Sequence, residues 1–132
     1  MSDITGVNHL TLVVADLPRA LAFWRDRLGA VVRAEGARSV YLELGALWLC
    51  LEKGAPTPRH DDTHIAFSVS EEGLARLSES LSEVPRWKEN RSEGRSLYLL
   101  DPDGHRIELH VGDLASRLAH YAARPEAGMR IV

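Results

Sequence analysis

The order strand–helix–strand–strand–strand occurs twice along this chain of 132 residues, and that repetition limits its possible folds more than any other feature. In the first half, His9-Leu10-Thr11-Leu12-Val13-Val14 alternates as a strand does, with His9, Thr11 and Val13 on one face. Asp16 has the chemistry of a helix cap and Pro18 suits a first turn, so residues 20–28 read as helix with Gly29 as the stop. Extended segments follow at 30–33, 40–44 and 47–52, the last two joined by a tight turn at Gly45-Ala46. Residues 53–62 hold two Pro and one Gly and read as a linker.

The second half repeats the pattern. Residues 63–69 form a strand, and Ser70 opens a helix whose first turn holds Glu71 and Glu72, where the helix dipole favours carboxylates. Leu74, Leu77 and Leu81 give that helix its apolar stripe. Strands at 86–88, 96–100 and 106–110 follow, and Asp101-Pro102-Asp103-Gly104 turns the chain between the last two. A final helix over 113–123 places Leu114, Leu118 and Tyr121 on one side. The expectation is an α+β domain spanning 1–132. It has βαβββ modules at about 5–52 and 63–111, a linker at about 53–62 and a C-terminal helix at about 113–123. At this length an apolar share of 45% is enough to fill a core.

Several classes of function are disfavoured. A net charge of −3 without a basic run argues against nucleic acid as a partner. No charged-then-apolar opening and no apolar stretch of spanning length point to a membrane. The lone Cys50 has no partner for an internal disulfide, so a reducing, cytoplasmic setting is expected. Between Leu49 and Leu51, with no base beside it in sequence, Cys50 reads as a small buried hydrophobe.

Chemistry concentrates elsewhere. Residues 87–98, Trp-Lys-Glu-Asn-Arg-Ser-Glu-Gly-Arg-Ser-Leu-Tyr, combine cations, hydroxyls, an amide and a turn-forming Gly, which is an inventory suited to an anion. His9 and His64 each fall on the first strand of a half, and Glu108 on the last strand. Two imidazoles and one carboxylate leave coordination positions open, as a catalytic divalent site requires. Each feature also has an ordinary reading: polar residues around Gly build many surface loops, and a strand histidine is commonly just hydrogen-bonded.

Six segments together resemble the fosfomycin-resistance glutathione transferases (FosA type) of the vicinal oxygen chelate, or glyoxalase–bleomycin resistance–dioxygenase, superfamily. They are Asn8–Leu12, Tyr41–Leu44, Leu47–Leu51, Lys88–Tyr98, Asp101–Leu109 and Gly112–Leu114. The resemblance runs from His9 to about Met129 and is most specific over Asn90–Tyr98. It implies a homodimer of paired βαβββ modules in which His64 and Glu108 of one subunit hold Mn²⁺ with His9 of the other. Glutathione would open the epoxide of fosfomycin, a small phosphonate, so the attacking thiol belongs to the cosubstrate and not to Cys50.

The same resemblance assigns catalytic roles to Thr11, Lys88 and Arg117, with Thr11 near the epoxide oxygen and both cations on the phosphonate. Tyr41, Trp48, Ser92, Ser96 and Tyr98 would line the substrate pocket, and Asn90, Ser92, Gly94 and Ser96 would hold K⁺. Read without the resemblance, Tyr41 and Trp48 are ordinary core aromatics and Arg117 an ordinary surface cation.

Two positions depart from the pattern or divide it. Arg95 stands where such proteins carry an acid, which alters the charge of the potassium loop. The related epoxide hydrolases carry a Glu near Ser39, whereas Gly36 to Leu42 here contains no carboxylate, favouring thiol addition. The alternatives are fosfomycin hydrolysis, addition of another thiol such as bacillithiol or cysteine, and a non-catalytic module that sequesters a drug.

Overall fold

Alternating apolar residues give each half of the chain a sheet with one dry face and one polar face. The computed structural model describes residues 2–90 and 93–132. The chain divides into two units: one runs up to His60 and takes in Asp101–His105, and the other comprises Asp61–Leu100 and Arg106–Val132.

In the first unit, β1 (His9–Val14) leads to α1 (Leu17–Trp24) and then to β2 (Val31–Glu35), β3 (Ser39–Leu44) and β4 (Leu47–Lys53). The sheet order is β1-β4-β3-β2, with β1 parallel to β4 and the other pairs antiparallel. The helix starts and stops earlier than the sequence pattern suggests. Asp16 accepts from the Arg19 amide at 3.0 Å and so starts the helix at Leu17. After Trp24 the chain continues to Gly29 in wider turns, in which the Asp26 and Leu28 amides reach back five residues to the Leu21 and Phe23 carbonyls. The Gly29 φ of +83° suits a residue without a side chain. The inner face of α1 buries Leu17, Ala20, Leu21 and Trp24, and α1 packs on β4. Leu42, Leu49 and Leu51 are wholly buried. Side chains of this size contribute about 1.5–3 kcal/mol each when removed from water, so such residues hold the unit together.

The turn Asp101–His105 is bound into this unit by polar contacts. Asp103 Oδ1 accepts from the Ala15 amide at 3.1 Å and from Arg19 at 2.6 Å. His105 Nε2 lies 2.7 Å from the Val13 carbonyl, which can only accept, so that nitrogen carries the proton. Asp101 takes the His105 amide at 2.7 Å and the Trp24 indole at 3.4 Å, and burial pushes its carboxyl above the usual range.

In the second unit, β5 (Ile65–Ser68), α2 (Glu71–Ser80), β6 (Arg86–Lys88), β7 (Arg95–Leu100) and β8 (Arg106–Val111) repeat the order, and the sheet runs β5-β8-β7-β6. Ser70 caps α2 by accepting from Gly73 at 3.0 Å. Leu74 and Leu81 are buried over a face made by Leu99, Ile107 and Leu109, while Leu77 is only half-buried. His64 precedes β5 by one residue instead of lying within a strand. α3 (Leu114–Ala122) begins at a capping box between Asp113 and Ser116. None of its residues is buried, and Leu114 and Leu118 are exposed. Among the described residues, no helix is long and apolar enough to cross a membrane.

Candidate active site

Strand register assigns each expected residue to a face. In the first sheet His9 pairs with Trp48, while Cys50 pairs with both Thr11 and Tyr41, so these five side chains share the face opposite α1. The His9 and Trp48 rings lie 4.5 Å apart, and Tyr41 meets Trp48 edge-on at 5.3 Å. His9 Nδ1 is 2.7 Å from the side-chain oxygen of Asn8, which keeps that nitrogen protonated and leaves Nε2 free to donate a lone pair. Tyr41 and Trp48 are both substantially exposed, so neither is a core aromatic of this unit. Cys50 is buried and free, in accord with a small apolar role.

The second sheet carries the denser chemistry. Glu108 pairs with Ala66 on one side and Tyr98 on the other, and Tyr98 pairs with Lys88. His64, two residues before Ala66, continues this face. Its Nδ1 lies 2.6 Å from the Asp62 carbonyl, an acceptor, so Nδ1 carries the proton. Its Nε2 then points at Glu108 Oε1, 2.9 Å away, in a site where the glutamate side chain is only 9% exposed. A lone pair facing a carboxylate is repulsive unless a second proton or a cation joins them. Two donors about 2.1 Å from one ion and at right angles stand about 3.0 Å apart, so the observed separation fits a shared divalent metal. Among the described residues, no group of three or more His, Cys, Asp or Glu side chains is gathered to hold a metal, so this pair supplies two donors.

The cations beside this pair already have partners. Lys88 Nζ is 3.1 Å from Asp62 Oδ1 and lies over the Tyr98 ring at 5.4 Å. Arg117, on α3, reaches Glu93 at 3.1 Å. Arg95 pairs with Glu71 at 2.8 Å on an exposed surface, which directs its charge toward the start of α2.

The expected potassium residues divide. The Asn90 amide donates to the Gly94 carbonyl at 2.9 Å and closes the loop. Gly94 has φ +81°, and a Cβ there would stand 2.5 Å from the Val111 carbonyl. Ser96 turns its hydroxyl to Glu108 at 2.5 Å. Ser92 lies outside the described residues.

Three neighbours escaped the sequence reading. His110 lies 2.6 Å from Ser96 and 3.2 Å from Glu108; its place two residues after Glu108 on one strand was the available signal. The Trp87 ring lies 5.1 Å from that of His64, tilted by 57°, and donates to the Ile107 carbonyl at 2.9 Å. Arg106 covers the Trp87 ring at 5.0 Å and donates to the Asp61 carbonyl, which steadies the segment holding His64. Trp87 opens the polar segment 87–98 but has no role assigned within it, and Arg106 has no local sequence signal.

Comparison with known proteins follows this geometry. The model of the Glyoxalase/Bleomycin resistance protein/Dioxygenase superfamily matches residues 6–109. A glutathione transferase FosA from Serratia marcescens is 46% identical over 133 residues, covering 96% of this chain and 94% of that protein. A metallothiol transferase FosB from Staphylococcus epidermidis is 36% identical over 138 residues, covering 97% and 99%. The crystal structure of fosfomycin resistance protein FosX from Listeria monocytogenes, complexed with Mn(II) and sulfate ion, gives a TM-score of 0.79. It is 32% identical and covers 89% of this chain and 98% of that one.

Proposed function

This chain belongs to the Glyoxalase/Bleomycin resistance protein/Dioxygenase superfamily, and we propose that it is a metal-dependent thiol transferase that adds glutathione to fosfomycin and so confers resistance to that drug. The observation that carries the metal is the 2.9 Å approach of His64 Nε2 to the buried Glu108 carboxylate. The substrate comes from the likeness to Fos proteins over nearly the whole chain. Sulfate is a tetrahedral dianion, as a phosphonate near neutral pH largely is, and Lys88 and Arg117 are the fixed cations such a group needs.

In this reading the protein is a homodimer, and His9 of the partner subunit completes a Mn²⁺ site with His64 and Glu108. When bound, Mn²⁺ supplies a Lewis acid at the epoxide oxygen. Lys88 and Arg117 leave Asp62 and Glu93 to hold the phosphonate, which orients the epoxide carbon toward the thiol. The glutathione thiolate, its proton lost to solvent, forms the new S–C bond as the C–O bond breaks with its electron pair on oxygen. The Thr11 hydroxyl, from the same subunit as His9, donates a hydrogen bond to the developing alkoxide, which then takes a proton from water. Tyr41, Trp48 and Tyr98 wall the pocket. The loop of Asn90, Ser92, Gly94 and Ser96 takes K⁺, which adds positive charge beside the phosphonate, and Ser92 and Ser96 also border the substrate.

The test is a ³¹P NMR time course of fosfomycin with metal-stripped protein, restoring Mn²⁺, K⁺ and glutathione singly and together. The expected result is a new phosphonate signal that needs both Mn²⁺ and glutathione and grows faster with K⁺. Product formed without any thiol would replace transfer by hydrolysis. Turnover only with bacillithiol or cysteine would change the cosubstrate, and fosfomycin bound but unchanged under every condition would indicate a sequestering module.

A further inference from the structure

We infer that Ser96 and His110 are positioning residues that aim the Glu108 carboxylate at its metal, which assigns the end of the polar loop to the metal centre. The inference rests on the metal-dependent reading above. It follows from counting protons. Ser96 Oγ lies 2.5 Å from Glu108 Oε2 and 2.6 Å from His110 Nδ1. The carboxylate only accepts, and a hydroxyl has a single proton, so that proton goes to Oε2. His110 must then donate its Nδ1 proton to Ser96. The chain of donation runs from His110 through Ser96 to Glu108, and it engages Oε2 while Oε1 faces His64.

Register makes this arrangement specific. Ser96 pairs with His110 across β7 and β8, and Tyr98 pairs with Glu108, so all four share a face. A glutamate's terminal torsion is broad, and without an anchor at Oε2 the carboxylate would swing between orientations. The His110 ring is itself confined by two glycines. A Cβ on Gly94 would come within 2.9 Å of its Cε1, and one on Gly112 within 3.1 Å of its Nε2. Both glycines have positive φ, +81° and +131°. Asn90 holds the Gly94 carbonyl at 2.9 Å beside that ring, so Gly94 is itself fixed in place.

Manganese binding tests this without fosfomycin or thiol. Purified protein is titrated with Mn²⁺ and the free ion is followed by EPR, with circular dichroism and thermal melting as checks on folding. Ser96→Ala and His110→Phe should each weaken binding about 10–100-fold, the range for lost support of a metal ligand. Because both act through one chain of donation, the double variant should bind no more weakly than the weaker single one. His110→Asn, whose side-chain NH₂ takes the place of Nδ1–H, should stay within about threefold of the parent.

Undiminished binding by Ser96→Ala, losses that multiply in the double variant, or a His110→Asn protein as weak as His110→Phe would overturn the inference. If His110→Phe does not fold, Ser96→Ala and His110→Asn carry the test. A parent protein that takes up no Mn²⁺ would instead sink the metal reading itself, and this inference with it.

Discussion

Cys50 and Glu108 occupy the same place in the two sheets. Each sits on the strand parallel to the first strand of its unit, opposite a Tyr, and opposite the residue two positions after a histidine. His9, Thr11, Tyr41 and Cys50 in one unit thus match His64, Ala66, Tyr98 and Glu108 in the other. Both residues are buried, at 9% and 7% exposure. The surroundings differ. Glu108 has His64, Ser96 and His110 within 3.2 Å, whereas the face around Cys50 carries the edge-on rings of Tyr41 and Trp48 and the Thr11 hydroxyl. A repeated backbone therefore provides two equal slots, one filled by a carboxylate among imidazole and hydroxyl groups and the other by a thiol among aromatic rings.

Substitution at the two slots should give opposite results. Glu108→Gln keeps the shape and removes the charge, so turnover at limiting Mn²⁺ should fall about 100-fold or more. Near-normal turnover at low metal would dissolve the contrast.

Mixing subunits probes the matched histidines. His9→Ala and His64→Ala proteins, each inactive alone, should recover roughly a quarter of parental activity after complete exchange, since half the dimers carry one intact site. No recovery after exchange shown by mass spectrometry would confine each site to one chain.

Lys88→Ala should raise KM for fosfomycin about 10-fold with a smaller change in kcat, the scale of one lost charge-assisted contact. An unchanged KM would remove Lys88 from the pocket. The smallest effect belongs to Cys50→Ala, for which turnover should stay within about twofold and stability should fall by about 1 kcal/mol. A larger loss of turnover would make the thiol slot chemical after all.

Much of the fold could be read from local pattern. Alternation marked β1 as His9–Val14, and Asp16, Ser70 and Asp113 cap three helices through contacts spanning three residues. Boundaries were less legible. α1 ends at Trp24 because the bonds of Asp26 and Leu28 reach back five residues instead of four, and nothing in the apolar spacing of 20–28 distinguishes those wider turns from another helical turn. The site was legible by residue type and less so by partner. The family resemblance groups His64 with Glu108, but it gives Ser96 to potassium and the substrate and gives His110 no role.

What the sequence determined by itself is the element order and which side chains of one strand share a face, because capping and the two-residue period of a strand act over a few positions. Tertiary structure alone decided which groups meet. The pairing of Ser96 with His110 depends on how β7 slides against β8, and a shift of one residue would send both side chains to opposite faces. The partners of Lys88 and Arg117, residues 26 and 24 positions away, likewise depend on where the folded chain brings its carboxylates. Contacts at that separation follow from packing the whole sheet, which no local window of residues contains.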